Sequence, residues 1–315
     1  MSVVSSKNPL PAYLQGKAAA PLRVAVTGGS GRIGKHVISQ LLARGHSVIN
    51  LDRKEAARPE ARLMYVDLRR RDIIQPIFET VDAVCHLAEI PNVNGPYSPD
   101  EVYAHNAQAG AVVLQTAADL KLKRFVYTSS CQAYGMWGDH RIAPQRLPMD
   151  ETHPLLPQNA YGMAKMANER YAEMVSRNQG LSLAIFRFPW VLDFDIEADE
   201  EGLWMALARS KNPTEGMATY VHVTDAASAY VLAIENPRPG CEAYHFSADE
   251  IFSCLPLRER QAKHEPKHPP LPADWPNYKS PLITDKARQH FGWKPIWNAV
   301  EMYRKKFGRE PHEKA

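Results

Sequence analysis

The chain has 315 residues, 44% of them apolar and 23% charged, with a net charge of +3. That is the balance of an ordinary globular protein, long enough for one large core or for a nucleotide domain plus a smaller lobe. It excludes nucleic acid as a partner, because no Lys/Arg run is interleaved with aromatics, and a membrane span, because no apolar run approaches the roughly 20 residues a bilayer requires.

Residues 1–22 contain lysines and prolines but no continuous apolar stretch of the kind a secretory leader needs, and are expected to form a flexible N-terminal arm. The four cysteines, Cys85, Cys131, Cys241 and Cys254, show neither metal-ligand spacing nor a small disulfide framework. A reducing, cytoplasmic setting without a bound metal is expected. Cys131 reads as a small buried apolar residue before it reads as a redox thiol.

The run Arg23 to Gly34 organises the rest of the chain. An apolar segment (Val24 to Val26) breaks into glycines and resumes with Ile33, Val37, Ile38, Leu41 and Leu42 on one helical face, so the pattern predicts strand, tight turn, helix. Gly28 permits the turn, Gly31 lets backbone N–H groups approach a pyrophosphate at the helix N-terminus, and Gly34 lets the helix lie close to the strand. A second apolar run ends at Asp52, 18 residues beyond Gly34, near the position of an acid that binds ribose hydroxyls. Asp52 would repel the extra phosphate of NADP while Arg53 and Lys54 would attract it, so NAD is favoured and NADP stays open.

Further strands are predicted at Arg62–Val66, Asp82–Leu87, Arg124–Ser130 and Leu181–Phe188, with a long helix from Glu101 to Leu120 and another carrying Tyr161 and Lys165. This alternation predicts an α/β, Rossmann-type doubly wound parallel sheet over residues 23–189. A small C-terminal substrate lobe is expected over 190–315, with 220–236 returning to the first domain. There Tyr220–Val223 reads as a strand running into a helix capped by Thr224. The proline-rich stretch Leu255–Pro281, which also holds His264 and His268, reads as a surface loop. In a doubly wound sheet ligands bind beyond the carboxyl ends of the strands, which directs Asp67, Leu68, Ala88 and Glu89 toward the cleft.

Ser130, Tyr161 and Lys165 answer the needs of hydride transfer to or from a carbinol. Tyr161 and Lys165, four residues apart, share a helix face. A phenol near pKa 10 is a poor base until a neighbouring ammonium and a cationic nicotinamide stabilise its phenolate. Tyr161 then exchanges the hydroxyl proton, Ser130 hydrogen-bonds the same oxygen, and Lys165 also holds the nicotinamide ribose.

With these residues in place the chain resembles an extended short-chain dehydrogenase/reductase, of the branch that includes sugar epimerases and dehydratases. Thr27 to Gly34 matches that family's cofactor motif, and Asp67 with Leu68 matches its adenine-side pair. His86–Ala88, Asn106, Ser130, Tyr134–Gly135, Tyr161 with Lys165, Arg187 and Gly292–Pro295 come in family order. The resemblance implies cofactor contacts from Gly28, Gly31, Arg32, Ile33, Gly34, Asp52, Arg53, Asp67, Leu68, Leu87, Ala88, Asn106, Tyr161, Lys165 and Pro189. It also implies a homodimer packed through the two long helices.

Departures from the family narrow the expectation. Cys131 and Gln132 stand where the dehydratases carry an acid pair, so a 4,6-dehydratase is not expected. Only 28 residues separate Val191 from Tyr220, a short span in which to build a nucleotide pocket, so a smaller substrate fits better. Glu89 replaces a second alanine after Ala88 and is suited to accept hydrogen bonds from sugar hydroxyls. Gln132, Trp190 and His222 are further candidates to line the pocket.

The leading expectation is an NAD(P)-dependent oxidoreductase acting on a secondary alcohol or ketone of a small sugar, sugar acid or polyol, with Tyr161 as acid/base. The alternative is an NAD-dependent sugar or nucleotide-sugar 4-epimerase, which needs the same residues. A reading of another class is a non-catalytic nicotinamide-sensing protein, against which the intact Ser130, Tyr161 and Lys165 argue.

Overall fold

The computed structural model describes residues 10–55, 61–91, 95–137, 140–193, 204, 207 and 216–314. Seven parallel strands form the main sheet: β1 (Arg23–Thr27), β2 (Ser47–Asp52), β3 (Arg62–Tyr65), β4 (Ala83–His86), β5 (Phe125–Ser130), β6 (Leu183–Phe188) and, after two strands outside this sheet, β9 (Cys241–His245). Their order is β3-β2-β1-β4-β5-β6-β9, so the winding reverses between β1 and β4. That reversal opens a crevice beyond the carboxyl ends of the strands, where open α/β sheets bind ligands. This is the Rossmann-type sheet the alternation predicts, except that its seventh strand, β9, comes from beyond the expected bounds of 23–189, because its pairing with β6 is a long-range contact with no local signal.

Period-two alternation assigns the two faces. From β1, Val24 and Val26 join one core with Val37, Ile38 and Leu41 of α1 (Gly34–Ala43), whereas Ala25 joins the other. In β6, Phe186 and Phe188 lie on the α1 side and Leu183 and Ile185 on the opposite side. The second face is covered by α2 (Arg71–Phe78), α3 (Pro99–Asp119) and α4 (Ala160–Gln179). Ser98 starts α3 with a full capping box to Glu101, and Pro99 at the first helical position has no N–H to leave unpaired.

On the first face α5 (Val223–Glu235) packs against α1, its Thr224 carbonyl accepting from Gln40 Nε2 at 3.0 Å. Phe186 meets Tyr230 of α5 edge-on at 5.0 Å and Phe246 at 4.4 Å, geometries that aromatic pairs favour. The cap of α5 differs from expectation. His222, not Thr224, is the N-cap, because its Nδ1 accepts the Thr224 N–H and pairs with the Thr224 hydroxyl at 2.7 Å.

Two other expectations are corrected. Residues 10–22 are docked rather than loose: Leu14 is buried, the Tyr13 hydroxyl donates to the Lys294 carbonyl at 2.9 Å, and the Arg44 guanidinium donates to the carbonyls of Leu14, Gln15 and Gly16. Residues 1–9 of the expected arm lie outside the described residues. The stretch 255–281 is not a surface loop, since it contains α6 (Leu257–His264) and buries Leu257, Arg260, Leu271 and Tyr278. Apolar residues spaced among prolines hide their period, yet here they seal a separate core.

That core also takes Met217, Tyr220, Phe252, Leu282, Ala299 and Tyr303, drawing on β8 (Tyr220–His222) and on a helix at Ala299–Phe307. β8 pairs in parallel with β7 (Trp190–Leu192) as a two-stranded sheet. All four cysteines are free thiols. Among the described residues no helix is long and apolar enough to cross a membrane.

Candidate active site

The glycine turn sits at the β1 carboxyl end. Gly28 has φ +71, and a Cβ there would lie 2.7 Å from the backbone N and Cα of Ala88, so the left-handed conformation and the close approach both require glycine. The Thr27 hydroxyl accepts the N–H groups of Leu87 and Ala88 at 3.1 and 3.2 Å and pairs with His86 Nδ1 at 2.7 Å. The backbone after β4 is thereby pinned beside the turn. Burial, with the Lys165 charge nearby, holds the His86 imidazole down to about 3, so the ring is neutral.

At the start of α1 no side chain caps the helix, and Gly31 and Arg32 are exposed. An uncapped N-terminus offers backbone N–H groups and the positive end of the helix dipole to an anion. Asp52 is half-buried at the end of β2, where its carboxylate accepts the Ser30 N–H at 2.9 Å and those of Arg53 and Lys54 at 2.6 and 3.0 Å. Glycine turn, open helix end and acid stand in the arrangement that holds an adenine dinucleotide, and the chain's residues fit NAD. Arg53 is exposed beside Asp52, and Arg32 reaches the Val191 carbonyl at 3.4 Å.

The other expected cofactor residues are more enclosed. Leu68 and Pro189 are buried, and Ile33 packs against the α1 core. Asp67 is clasped by Arg69 at 2.6 Å, and hydrogen bonding from that guanidinium holds its carboxyl far below the usual range. Asn106 is buried with its amide engaged by the backbone. Its amide accepts the Ile90 N–H at 2.9 Å and donates to the Ile90 carbonyl at 3.0 Å, clamping the loop after β4.

The chemistry-bearing side chains meet at the β5 carboxyl end. Ser130 ends β5 and its hydroxyl accepts the Gln132 N–H at 3.1 Å. Asn159 caps α4 by accepting the Gly162 N–H at 2.8 Å, which sets the helix register. One turn apart, Tyr161 and Lys165 then face the sheet, with Lys165 Nζ 5.1 Å from the Tyr161 ring centre. Lys165 is 1% exposed and donates to the Thr128 carbonyl. The structure therefore brings Ser130, Tyr161 and Lys165 together as the sequence predicts.

Burial pushes the Tyr161 phenol well above its ordinary value, the Glu89 carboxylate and coupling to the Tyr230 phenol add to this, and a hydrogen bond with Ser130 pulls the other way. The candidate substrate residue Glu89 is turned into this cluster. Its carboxylate pairs with Lys165 and accepts from the Tyr127 hydroxyl at 3.1 Å, with its side chain only 6% exposed. Burial raises the Glu89 carboxyl and lowers the Lys165 ammonium, each opposed by the charge of the other.

The remaining pocket candidates separate. Gln132 is half-buried with its carbonyl accepting from Asn159 at 2.7 Å. Trp190 is 38% exposed and meets Phe252 edge-on at 6.3 Å. His222 is enclosed: it is 2% exposed, caps α5 and lies against Trp297 with ring centres 4.7 Å apart.

Behind the cluster lies a buried network that the residue-by-residue reading missed. Arg187 donates to Glu169 at 2.6 Å, to the Tyr134 hydroxyl at 2.9 Å and to the Glu151 carbonyl at 2.8 Å. Glu169 also accepts from the Ser129 hydroxyl at 2.5 Å, and Tyr134 pairs with His245 at 2.6 Å. The signal that could have found it was spacing, since Tyr161, Lys165 and Glu169 recur every four residues on one face of α4. The network ties β5, β6, β9 and α4 together beneath the catalytic groups. Burial pushes the Cys131 thiol up, so it is an inert core thiol.

Relatives share this architecture along most of the chain. A UDP-glucose 4-epimerase of Lacticaseibacillus casei is 27% identical over 317 residues, covering 89% of this chain and 94% of that protein. A putative UDP-glucose 4-epimerase of Methanocaldococcus jannaschii is 28% identical, over 86% of this chain and 93% of that one. Among solved structures, the UDP-glucose 4-epimerase of Thermotoga maritima with UDP-glucose superposes with a TM-score of 0.64 at 24% identity, over 90% of this chain and 99% of its own. A short-chain dehydrogenase/reductase superfamily protein of Agrobacterium tumefaciens with bound NAD reaches 0.68 at 22% identity, over 90% and 95%. With the family's sequence model matching residues 24–247, the chain belongs to the NAD dependent epimerase/dehydratase family.

Proposed function

We propose that the chain is an NAD-dependent sugar 4-epimerase, which oxidises one secondary carbinol and reduces the resulting ketone from its other face. The observation that carries this reading is the assembly of Ser130, Tyr161 and Lys165 beside the glycine turn, in a chain whose relatives are UDP-glucose 4-epimerases along most of its length. Net oxidation of a small sugar, placed first on sequence grounds, becomes the second reading. The short span between Val191 and Tyr220 favours it and the relatives do not.

NAD, held at the glycine turn and Asp52, would supply the hydride-accepting and hydride-donating chemistry that the carbinol carbon needs. Tyr161 accepts the hydroxyl proton as hydride leaves and gives it back on reduction. Ser130 hydrogen-bonds the substrate oxygen and fixes its distance from the phenol. Lys165 keeps an ammonium under the phenol and, through Thr128, is fixed to β5. A nucleotide sugar is the substrate class that the relatives support, and Asp52 beside the glycine turn supports NAD over NADP. A homodimer through α3 and α4 is supported by Tyr103 and Met163, each 40% exposed on those helices.

The deciding experiment denatures freshly purified protein and identifies the nucleotide released, then supplies UDP-glucose, UDP-galactose and free sugars. Retained NAD with interconversion of the two UDP-sugars, and no net NADH, is the expected result. Stoichiometric NADH from a free sugar overturns it in favour of the second reading.

A further inference from the structure

Glu89 places a carboxyl group, in contact with Lys165, where a hydride-transfer site of this design has no need of one. It comes after β4 on the loop pinned by Thr27 and Asn106, and its side chain is 6% exposed. One carboxylate oxygen pairs with Lys165, the other accepts from Tyr127 at 3.1 Å, and Tyr127 in turn accepts from Asn168 at 3.3 Å. Lys165 Nζ lies 5.1 Å from the Tyr161 ring centre and 5.3 Å from that of Tyr127. The ammonium expected to stabilise the Tyr161 phenolate is thus already matched by a carboxylate at contact distance.

We propose that Glu89 is the positioning residue that decides at what pH Tyr161 works, because its carboxylate cancels at short range the Lys165 charge that would otherwise stabilise the phenolate. The inference rests on Tyr161 being the acid/base of the proposed reaction. Opposite charges in contact act on a third group nearly as a neutral dipole, so little of the ammonium's attraction reaches the phenol oxygen.

The other groups around the phenol do not change the sign. Tyr230 of α5 approaches from the far face of the sheet and opposes a second negative charge, while a hydrogen bond with Ser130 of β5 acts the other way. Around Lys165, His86 of β4 is neutral, Tyr127 of β5 is a phenol bound to Glu89, and Glu169 of α4 lies one turn on, already paired with Arg187. Glu89 is therefore the carboxylate in contact with the catalytic lysine.

The test is Glu89→Gln, which keeps the shape and removes the charge. In the pH profile of kcat/KM for interconversion of the two UDP-sugars, the acid limb is expected to move at least one pH unit downward. Rates on that limb then rise about tenfold, while the alkaline plateau does not rise, because a phenol of lower pKa is a weaker base. A superimposable acid limb overturns the proposal, as does an upward shift.

A second readout needs no turnover. The ultraviolet absorbance of tyrosinate is titrated in the parent and in Tyr161→Phe, and the difference isolates one tyrosine, expected to ionise at least one pH unit lower in Glu89→Gln. An unmoved difference curve overturns the proposal even where no sugar is turned over, so failure of the functional reading and failure of this one are separable. Should Glu89→Gln not fold, Glu89→Ala reads the same shift.

Discussion

A Cβ placed on Gly34 would lie 2.3 Å from the carbonyl oxygen of Gly28, so α1 can begin only where these two residues touch. Gly34→Ala has to push backbone against backbone, with the Gly29 Cα a further 2.6 Å obstacle. The expected cost is about 1–3 kcal/mol of stability, as for other forced overpacking, together with weaker NAD binding. Gly31→Ala is the contrast, because its nearest obstacle is the Gly28 oxygen at 3.1 Å. It is expected to lower the melting temperature less than Gly34→Ala does, while also losing NAD affinity. Thermal melts and NAD titration calorimetry on the two variants check both statements.

Tyr161→Phe removes the proton-exchanging oxygen but leaves the glycine turn and Asp52 untouched. Turnover is expected to fall by about 10²–10⁴-fold, the usual contribution of a positioned acid/base, with NAD bound as in the parent. Steady-state kinetics beside NAD titration separate the two effects. Turnover within a few-fold of the parent would remove Tyr161 from the mechanism.

Among the described residues Glu169 is the only carboxylate bonded to the Arg187 guanidinium, and it is 0% exposed. Glu169→Ala leaves a buried cation without its partner, which typically costs about 3–5 kcal/mol. The resulting drop in the urea midpoint is expected to exceed that of Lys286→Ala, whose partner Glu242 has nearly half of its side chain in solvent.

Asp225 carries a pH signature. It accepts the N–H groups of Ile296 and Trp297 at 3.0 Å each, yet burial pushes its carboxyl up to about 7 from an ordinary value near 4. Between those two pH values the folded state binds a proton that the unfolded chain has released. Stability contributed by this group is therefore fully present below about pH 4, falls as pH rises through the window, and is level above about 7. Three units correspond to about 4 kcal/mol. Asp225→Asn is expected to flatten the melting temperature between pH 4 and 7, and an unchanged pH slope contradicts the assignment.

The sequence by itself determined the parts whose cause is local. Glycine spacing dictates the turn, alternating apolar runs dictate parallel strands between helices, and four-residue spacing puts Tyr161 and Lys165 on one helix face. These need only backbone stereochemistry and the helical and strand periods. The order of net oxidation and epimerisation was not legible, since both use the same side chains.

Only the tertiary structure decided where side chains with several possible partners point. Glu89 read as a hydrogen-bond acceptor for sugar, and the meeting of the β4 loop with α4 turned it onto Lys165. His222 read as a pocket residue, and the packing of α5 beneath Trp297 made it a cap. Asn106 read as a cofactor ligand, and the loop at Ile90 took both of its polar atoms. Residues 10–22 and 255–281 looked irregular because what orders them lies far along the chain, at Lys294 for the first and in the core around Tyr220 and Tyr303 for the second. A buried charge or amide takes whichever complementary partner the fold brings within hydrogen-bond reach, and that partner lies up to hundreds of residues away, beyond any local pattern.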